Sequence, residues 1–277
     1  MEVEMRANAK INLALDVLDD REDGFHEVDM ILQEIDLGDN LTIEEGRGGF
    51  VLTCDDPDLA LDRNNLIFKA WEAMKDRVEE NAVVIELEKR IPIQAGLGGG
   101  SSDAAATLKG LNKLWDLDLS DEELEEIGAG LGSDVPFFIR GGTQRGQGRG
   151  EILTPLRNWY GHRVLLVNPG EGLSTAFVYG QVGNYGKIRV AELAHAIDSN
   201  TAQLTDLMQN QLETVTLSLQ PKLRQIKKEL KDLGAQAAMV SGSGPTVFGI
   251  FDDPGSLEKA RRIMESAYPF VFSATTL

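Results

Sequence analysis

The chain has 277 residues, and 27 Lys and Arg against 45 Asp and Glu leave a formal charge of −18. Its 42% hydrophobic and 26% charged content is that of a globular protein long enough for a core in each of two domains, which excludes disorder and collagen-like repeats. So acidic a chain has no electrostatic basis for non-specific nucleic-acid binding, and the single Cys54 excludes an internal disulfide. No apolar run nears the ~18 residues of a membrane span. The N-terminal MEVEMRANAK lacks the apolar core of a signal peptide, so a reducing cytoplasm is expected, with no membrane partner. Any anionic ligand must then be held locally, by backbone N–H groups and a few cations, against the field of the whole protein.

In chain order, residues 3–17 alternate as a strand and end in the turn formers Asp19-Asp20-Arg21-Glu22-Asp23-Gly24, after which a return strand runs from Val28 to Ile35. Short strands are expected at Leu41–Glu44, Phe50–Cys54 and Val83–Leu87. Between the last two, Asn64-Asn65 opens a helix with Leu66, Ile67, Ala70, Trp71 and Met74 at helical spacing. Pro92 begins a glycine-rich loop to Ser102, followed by a helix carrying Ala104–Ala106, Leu108, Leu111 and Leu114. Ser120 and Glu123 form a capping box for a helix ending near Gly130. The glycines of GGTQRGQGRGE favour a hairpin, and Val164–Val167 reads as a strand. Residues 205–233 read as helical, with Pro221 a break. Ala237–Val240, the loop Ser241-Gly242-Ser243-Gly244-Pro245, the strand Thr246–Phe251, a helix at Leu257–Met264 and a strand at Phe270–Thr275 complete the chain.

The strongest chemical signal is Gly96-Leu97-Gly98-Gly99-Gly100-Ser101-Ser102-Asp103, between a strand and a helix. Glycines let backbone N–H groups turn towards a ligand, and a helix N-terminus adds partial positive charge, which together make a phosphate cradle. It is not a P-loop, because no lysine follows the last glycine, and GxGxxG would need glycine at Ser101. The plainer reading is a turn capped by Ser101 or Ser102. His162 and His195 stand alone in polar surroundings and are expected on the surface, and no zinc-like cluster is spaced along the chain.

The stretch Pro92-Ile93-Gln94-Ala95-Gly96-Leu97-Gly98-Gly99-Gly100-Ser101-Ser102-Asp103 resembles the nucleotide loop of the GHMP kinases, the family of galactokinase, homoserine kinase, mevalonate kinase and phosphomevalonate kinase. Ala9-Lys10-Ile11-Asn12-Leu13, Asp23-Gly24-Phe25-His26-Glu27 and Gly132-Ser133-Asp134-Val135-Pro136-Phe137-Phe138 narrow the resemblance. They are similar to the branch whose acceptor is 4-diphosphocytidyl-2-C-methyl-D-erythritol, of the non-mevalonate isoprenoid route. The late glycine loop Val240–Gly244 keeps the family order, so the likeness runs nearly the whole length.

The resemblance implies an α+β fold of two domains, an N-terminal ATP-binding α/β domain (1–155) and a C-terminal ferredoxin-like domain (156–277) closing the substrate cleft. It implies ATP and Mg²⁺, with Pro92 to Ser102 cradling the nucleotide and Asn65, by sequence logic a helix cap, near adenine. It makes Asp134 the catalytic base and Lys10 the cation beside it; from spacing alone Asp134 is equally a helix cap and Lys10 a solvated charge. A cation beside a carboxylate favours its charged form, and a base must accept the hydroxyl's proton as the γ-phosphate transfers. Asn12 shares the strand face of Lys10. Phe25 and His26, otherwise a hairpin tip folded on the core, become the base-binding pair, with Phe25 where the family commonly has tyrosine. Tyr179 is the second aromatic, with Thr175 one helical turn earlier, and Phe177 is expected in the core. Gly242 and Ser243, a tight turn on composition, lie near the substrate by the resemblance. The metal ligands are not evident; Ser102 is a weak candidate, with capping the alternative. Rival functions are a GHMP kinase for another alcohol such as homoserine or mevalonate, a nucleotide-binding sensor without catalysis, and a dehydrogenase, which the loop supports least.

Overall fold

The computed structural model describes residues 1–200 and 204–277. Its elements run β1 (Glu2–Asp20), β2 (His26–Glu45), β3 (Phe50–Cys54), α1 (Leu66–Met74), β4 (Val83–Glu88), α2 (Gly99–Leu114), α3 (Asp121–Leu131), α4 (Val135–Arg140), β5 (Thr143–Gly148) and β6 (Ile152–Pro155). They continue with β7 (Arg163–Asn168), α5 (Thr175–Tyr179), α6 (Val190–Asp198), β8 (Gln209–Asn210), α7 (Glu213–Leu219), α8 (Lys222–Asp232), β9 (Ala237–Val240), β10 (Val247–Phe251), α9 (Pro254–Glu265) and β11 (Phe270–Thr275). Packing divides the chain into two compact units that alternate along the sequence. The first is Met1–Ala9, Gly38–Ile93 and Gly98–Arg140; the second is Lys10–Leu37, Gln94–Leu97 and Gly141–Leu277.

In the first unit the end of β2 pairs antiparallel with β4 from Asn40↔Glu88 to Glu45↔Val83, and β3 pairs parallel with β4. The separate strand expected at Leu41–Glu44 is this far end of β2. Asn65 caps α1 by accepting from the Ile67 N–H at 2.9 Å, and the buried Ile67, Ala70, Trp71 and Met74 fall on one face. The helix α2 begins at Gly99, four residues earlier than the loop reading allowed, because Gly98 adopts a left-handed conformation and serves as the N-cap. Gly110 on α2 lets the helix approach the sheet: a Cβ there would lie 2.4 Å from Ile43 Cδ1. Both bonds of the capping box at Ser120 and Glu123 form. Gly128 of α3 leaves room for Val135, at the start of α4.

The second unit contains the hairpin read from GGTQRGQGRGE: β5 pairs antiparallel with β2 and with β6. Its other sheet has the order β11-β7-β10-β9, all antiparallel. With α8 between β7 and β9, and α9 between β10 and β11, this is the βαββαβ ferredoxin-like arrangement. Leu223, Ile226 and Leu230 of α8 and Ala260 and Met264 of α9 recur at helical spacing and bury against Leu165, Val167, Val247 and Phe251. Pro221 starts α8, as its missing N–H permits at a helix entrance. Residues 205–233 are not continuously helical, since β8 interrupts them, and α6 falls where no element was read. Phe177 is 54% exposed, so the core expectation for it fails. The buried residue on α5 is instead Val178, the next residue round the helix.

Candidate functional site

The glycine loop shows why its residues are glycine. Gly96 has φ +76, and a Cβ there would lie 2.3 Å from the Ser241 carbonyl oxygen and 2.9 Å from that of Gly244. Ser241 Oγ donates to the Gly96 carbonyl at 3.0 Å, and the Thr246 N–H donates to Ala95 O at 3.3 Å. The two glycine loops of the second unit are therefore in backbone contact, and no side chain fits between them. Gln94 is exposed at φ +53, with Pro92 and Ile93 half-buried before it. Leu97 is buried and its carbonyl accepts from the Lys10 N–H at 2.9 Å.

In the first unit Gly98, Gly99, Gly100 and Ser101 form the entrance to α2, whose first-turn N–H groups have no intrahelical carbonyl. Neither Ser101 nor Ser102 caps it. Ser102 is buried one turn in, and its hydroxyl donates to the Asn8 carbonyl at 2.6 Å, which makes it a packing anchor rather than a cap. Asp134 is half-buried and immediately precedes α4, whose Val135 N–H donates to Gly132 O at 3.1 Å. Its segment lies beside the start of α2, since a Cβ on Gly132 would be 3.9 Å from Ser101 Oγ. Asn65 lies in the same region: its neighbour Leu66 faces Gly100 at 3.9 Å, while its own amide donates to Ala60 O at 2.8 Å.

Lys10 and Asn12 project from one face of β1 in the second unit, as period-2 spacing requires. Lys10 is 5% exposed, and its Nζ donates to Asn12 Oδ1 at 2.7 Å. Asn12 in turn donates to Met30 Sδ at 3.4 Å. Gly242, at φ +54, faces both: a Cβ would lie 3.3 Å from Asn12 Oδ1 and 3.4 Å from Lys10 Nζ. Asn210, unread in the sequence, shapes this turn by donating to Val240 O at 2.9 Å and Gly242 O at 2.7 Å. Ser243 is buried and shares a 2.9 Å hydrogen bond with Thr175, at the start of α5.

One turn along α5, Tyr179 tilts against His26 with ring centroids 5.2 Å apart. His26 Nε2 lies 3.2 Å from Asp20 Oδ1. Phe25 is 49% exposed, not folded on the core, and the Arg149 guanidinium sits 4.9 Å over its ring. Sequence reasoning missed Arg149, whose place between glycines in the β5–β6 turn marks only a hairpin. Of the isolated histidines, His195 is exposed, whereas His162 is half-buried and stacks on Trp159 at 3.9 Å; burial pushes its pKa down. No group of three or more His, Cys, Asp or Glu among the described residues is arranged to hold a metal ion. A cation carried on phosphate oxygens needs no such cage.

Two family descriptions match the chain. The description "GHMP kinases N terminal domain" matches residues 65–142, and "GHMP kinases C terminal" matches residues 188–269. The chain is 42% identical over 262 residues to a 4-diphosphocytidyl-2-C-methyl-D-erythritol kinase of Acetivibrio thermocellus, covering 91% of this chain and 90% of that protein. It is 44% identical over 257 residues to the enzyme of that name from Shouchella clausii, covering 91% and 86%. A crystal structure of 4-(cytidine 5'-diphospho)-2C-methyl-D-erythritol kinase superposes with a TM-score of 0.85 at 31% identity over 99% of both chains. The chain belongs to the GHMP kinase family, and within it to the family of the 4-diphosphocytidyl-2-C-methyl-D-erythritol kinases.

Proposed function

We propose that the chain transfers the γ-phosphate of ATP to the 2-hydroxyl of 4-diphosphocytidyl-2-C-methyl-D-erythritol, a step of the non-mevalonate isoprenoid route, in the cytoplasm. The donor is Mg-ATP, with the cation arriving on the phosphates as part of the substrate. We divide the roles near residue 155, with nucleotide binding before it and the family's C-terminal domain after it. Backbone N–H groups from Gly96 to Ser102 take the phosphates, helped by the partial positive charge of the α2 N-terminus. Pro92 to Ala95 shape the entrance, and Asn65 borders the adenine. Asp134 accepts the proton of the attacking hydroxyl as the new P–O bond forms, and Lys10 offsets the charge that develops on that oxygen. Asn12 orients the Lys10 ammonium through the bond between them, while Gly242 lets the acceptor approach.

The observation that carries the choice of acceptor is the setting of His26. Asp20 accepts from Nε2, so in a neutral ring Nδ1 is a lone-pair acceptor. That matches the amino group of cytosine and mismatches the carbonyl of uracil. The rings of the exposed Phe25 and the half-buried Tyr179 supply stacking for the base, and Phe25 in place of tyrosine keeps the π face while giving up a hydroxyl. Thr175 and Ser243 offer hydroxyls to the diphosphate. The test is an acceptor screen with Mg-ATP, following the product by phosphorus NMR. The reading expects one new phosphomonoester on the cytidyl compound. Turnover of homoserine or mevalonate without turnover of the cytidyl compound would overturn the assignment and leave the broader kinase.

A further inference from the structure

Beneath the entrance to α2 lies a charged cluster that the reaction does not use. Lys89, Asp39 and Asp103 have side chains only 4%, 0% and 3% exposed. Lys89 Nζ bonds Asp39 Oδ2, and it reaches Asp103 Oδ2 at 3.0 Å. The other oxygen of Asp39 accepts two backbone N–H groups, from Arg90 at 2.5 Å and Ile91 at 2.8 Å. A Cβ on Gly99 would lie 3.1 Å from Lys89 Nζ and 3.0 Å from a methyl of Ile91. The three charges thus touch the chain just before the glycine loop, at 89–91, and just after it, at Gly99 and Asp103.

A buried ion pair is weak evidence for stability, because removing charges from water costs about as much as their attraction returns. A cluster of two carboxylates and one ammonium is costlier still, so its retention calls for another reason. We infer that Lys89, Asp39 and Asp103 are positioning residues for the nucleotide: they clamp both ends of the glycine loop so that its N–H groups are aimed before ATP arrives. This rests on the reading of the loop as the ATP cradle. Charge-assisted bonds to backbone N–H groups are directional and strong when dry, so they fix the loop ends more tightly than apolar packing would. Prealigned donors lower the ordering cost of binding, which places the effect on ATP affinity and spares acceptor binding. The Asp103 carboxyl is driven upward by desolvation to about 7, more than the attraction of Lys89 offsets, and the like charge of Asp39 adds to the shift. Its Oδ1 has no hydrogen-bond partner among the described residues.

Steady-state constants for both substrates separate this role from a structural one. Asp39→Ala removes the acceptor of both N–H groups and should raise KM for ATP about tenfold, the scale of one lost charge-assisted bond. KM for the acceptor and kcat should stay within about twofold, since neither depends on how the phosphates are prealigned. Asp39→Asn keeps an acceptor oxygen and should recover part of the loss. Equal changes in both KM values, or none in a folded Asp39→Ala, would overturn the clamp. A Gly98→Val variant run alongside tests the loop reading separately: normal ATP binding there removes the cradle itself, whereas blocked binding with an unaltered Asp39→Ala removes only the clamp. Should Asp39→Ala not fold, hydrogen exchange on the unaltered protein decides. The Arg90 and Ile91 amides should be protected without nucleotide and change little when ADP is added; rapid exchange without ADP would contradict a preset clamp.

Discussion

The region assigned to ATP and the region assigned to the cytidyl group are built by opposite means. Around the glycine loop the proposed recognition groups are backbone, there is no room for a Cβ at Gly96, and the charged side chains of Lys89, Asp39 and Asp103 are almost without solvent. Around the acceptor the proposed recognition groups are side chains: Phe25 is 49% exposed under Arg149, and Tyr179 and His26 meet with their rings tilted by 43°. A backbone site is fixed by the fold and changes only when the fold does. A side-chain site can be edited residue by residue at little cost in stability, which suits a family whose members share a donor and differ in acceptor.

That contrast predicts where substitutions are catastrophic and where they are graded. The largest effect should come from Gly98→Val: φ is +74 there, which a β-branched residue rarely adopts, and isothermal calorimetry should find no ATP binding by a folded variant. Asp134→Asn should lower kcat by about 100-fold or more while leaving ATP binding intact, because asparagine cannot take the proton. Lys10→Ala should impair the same step, and the double variant should be little worse than either single one if the two act as a unit. Multiplying losses in the double variant would separate their roles.

On the acceptor side Phe25→Ala should raise KM for the cytidyl compound and spare ATP. A base stacked on an aromatic is worth about 1–3 kcal/mol, so an increase of roughly tenfold is the expected scale. A matching rise in KM for ATP would break the division between the regions. Phe25→Tyr keeps the ring face and should change either KM by less than about twofold.

The buried cluster adds a pH signature that the exposed aromatics lack. The folded pKa of Asp103 is raised from 3.8 to about 7, so between these values the native state holds a proton that the unfolded chain has released. Stability from this group is therefore full below pH ~4, is lost as pH rises to about 7, and is flat above. Asp103→Asn removes the titration and should flatten that slope in denaturant midpoints measured from pH 5 to 8. An unchanged slope would show that the group carries its ordinary pKa.

Much of this was legible in the sequence because short-range rules governed it. Capping chemistry at Asn65 and Ser120, the period of Lys10 and Asn12, and the glycine run all act within a few residues. What was not legible depends on partners far along the chain. Ser102 has the local sequence signature of a cap, but its hydroxyl donates to the Asn8 carbonyl instead. Phe177 looked like core because it is aromatic, but on a five-residue helix the buried position is Val178. Lys89 meets Asp39 across 50 residues, and Arg149 reaches Phe25 from another hairpin, so no local pattern announces either contact. His162 is half-buried against Trp159, although its neighbours in sequence are polar.

The most direct test of the central claim is a competition in one reaction mixture, with Mg-ATP, between 4-diphosphocytidyl-2-C-methyl-D-erythritol and its uridyl analogue at equal concentration. Nδ1 of His26 as an acceptor, with Nε2 committed to Asp20, predicts that the cytidyl compound is phosphorylated preferentially. It predicts also that CDP inhibits more strongly than UDP, with added ATP failing to relieve the inhibition fully. Equal use of the two acceptors, or preference for the uridyl analogue, would contradict the account of how this site reads its substrate.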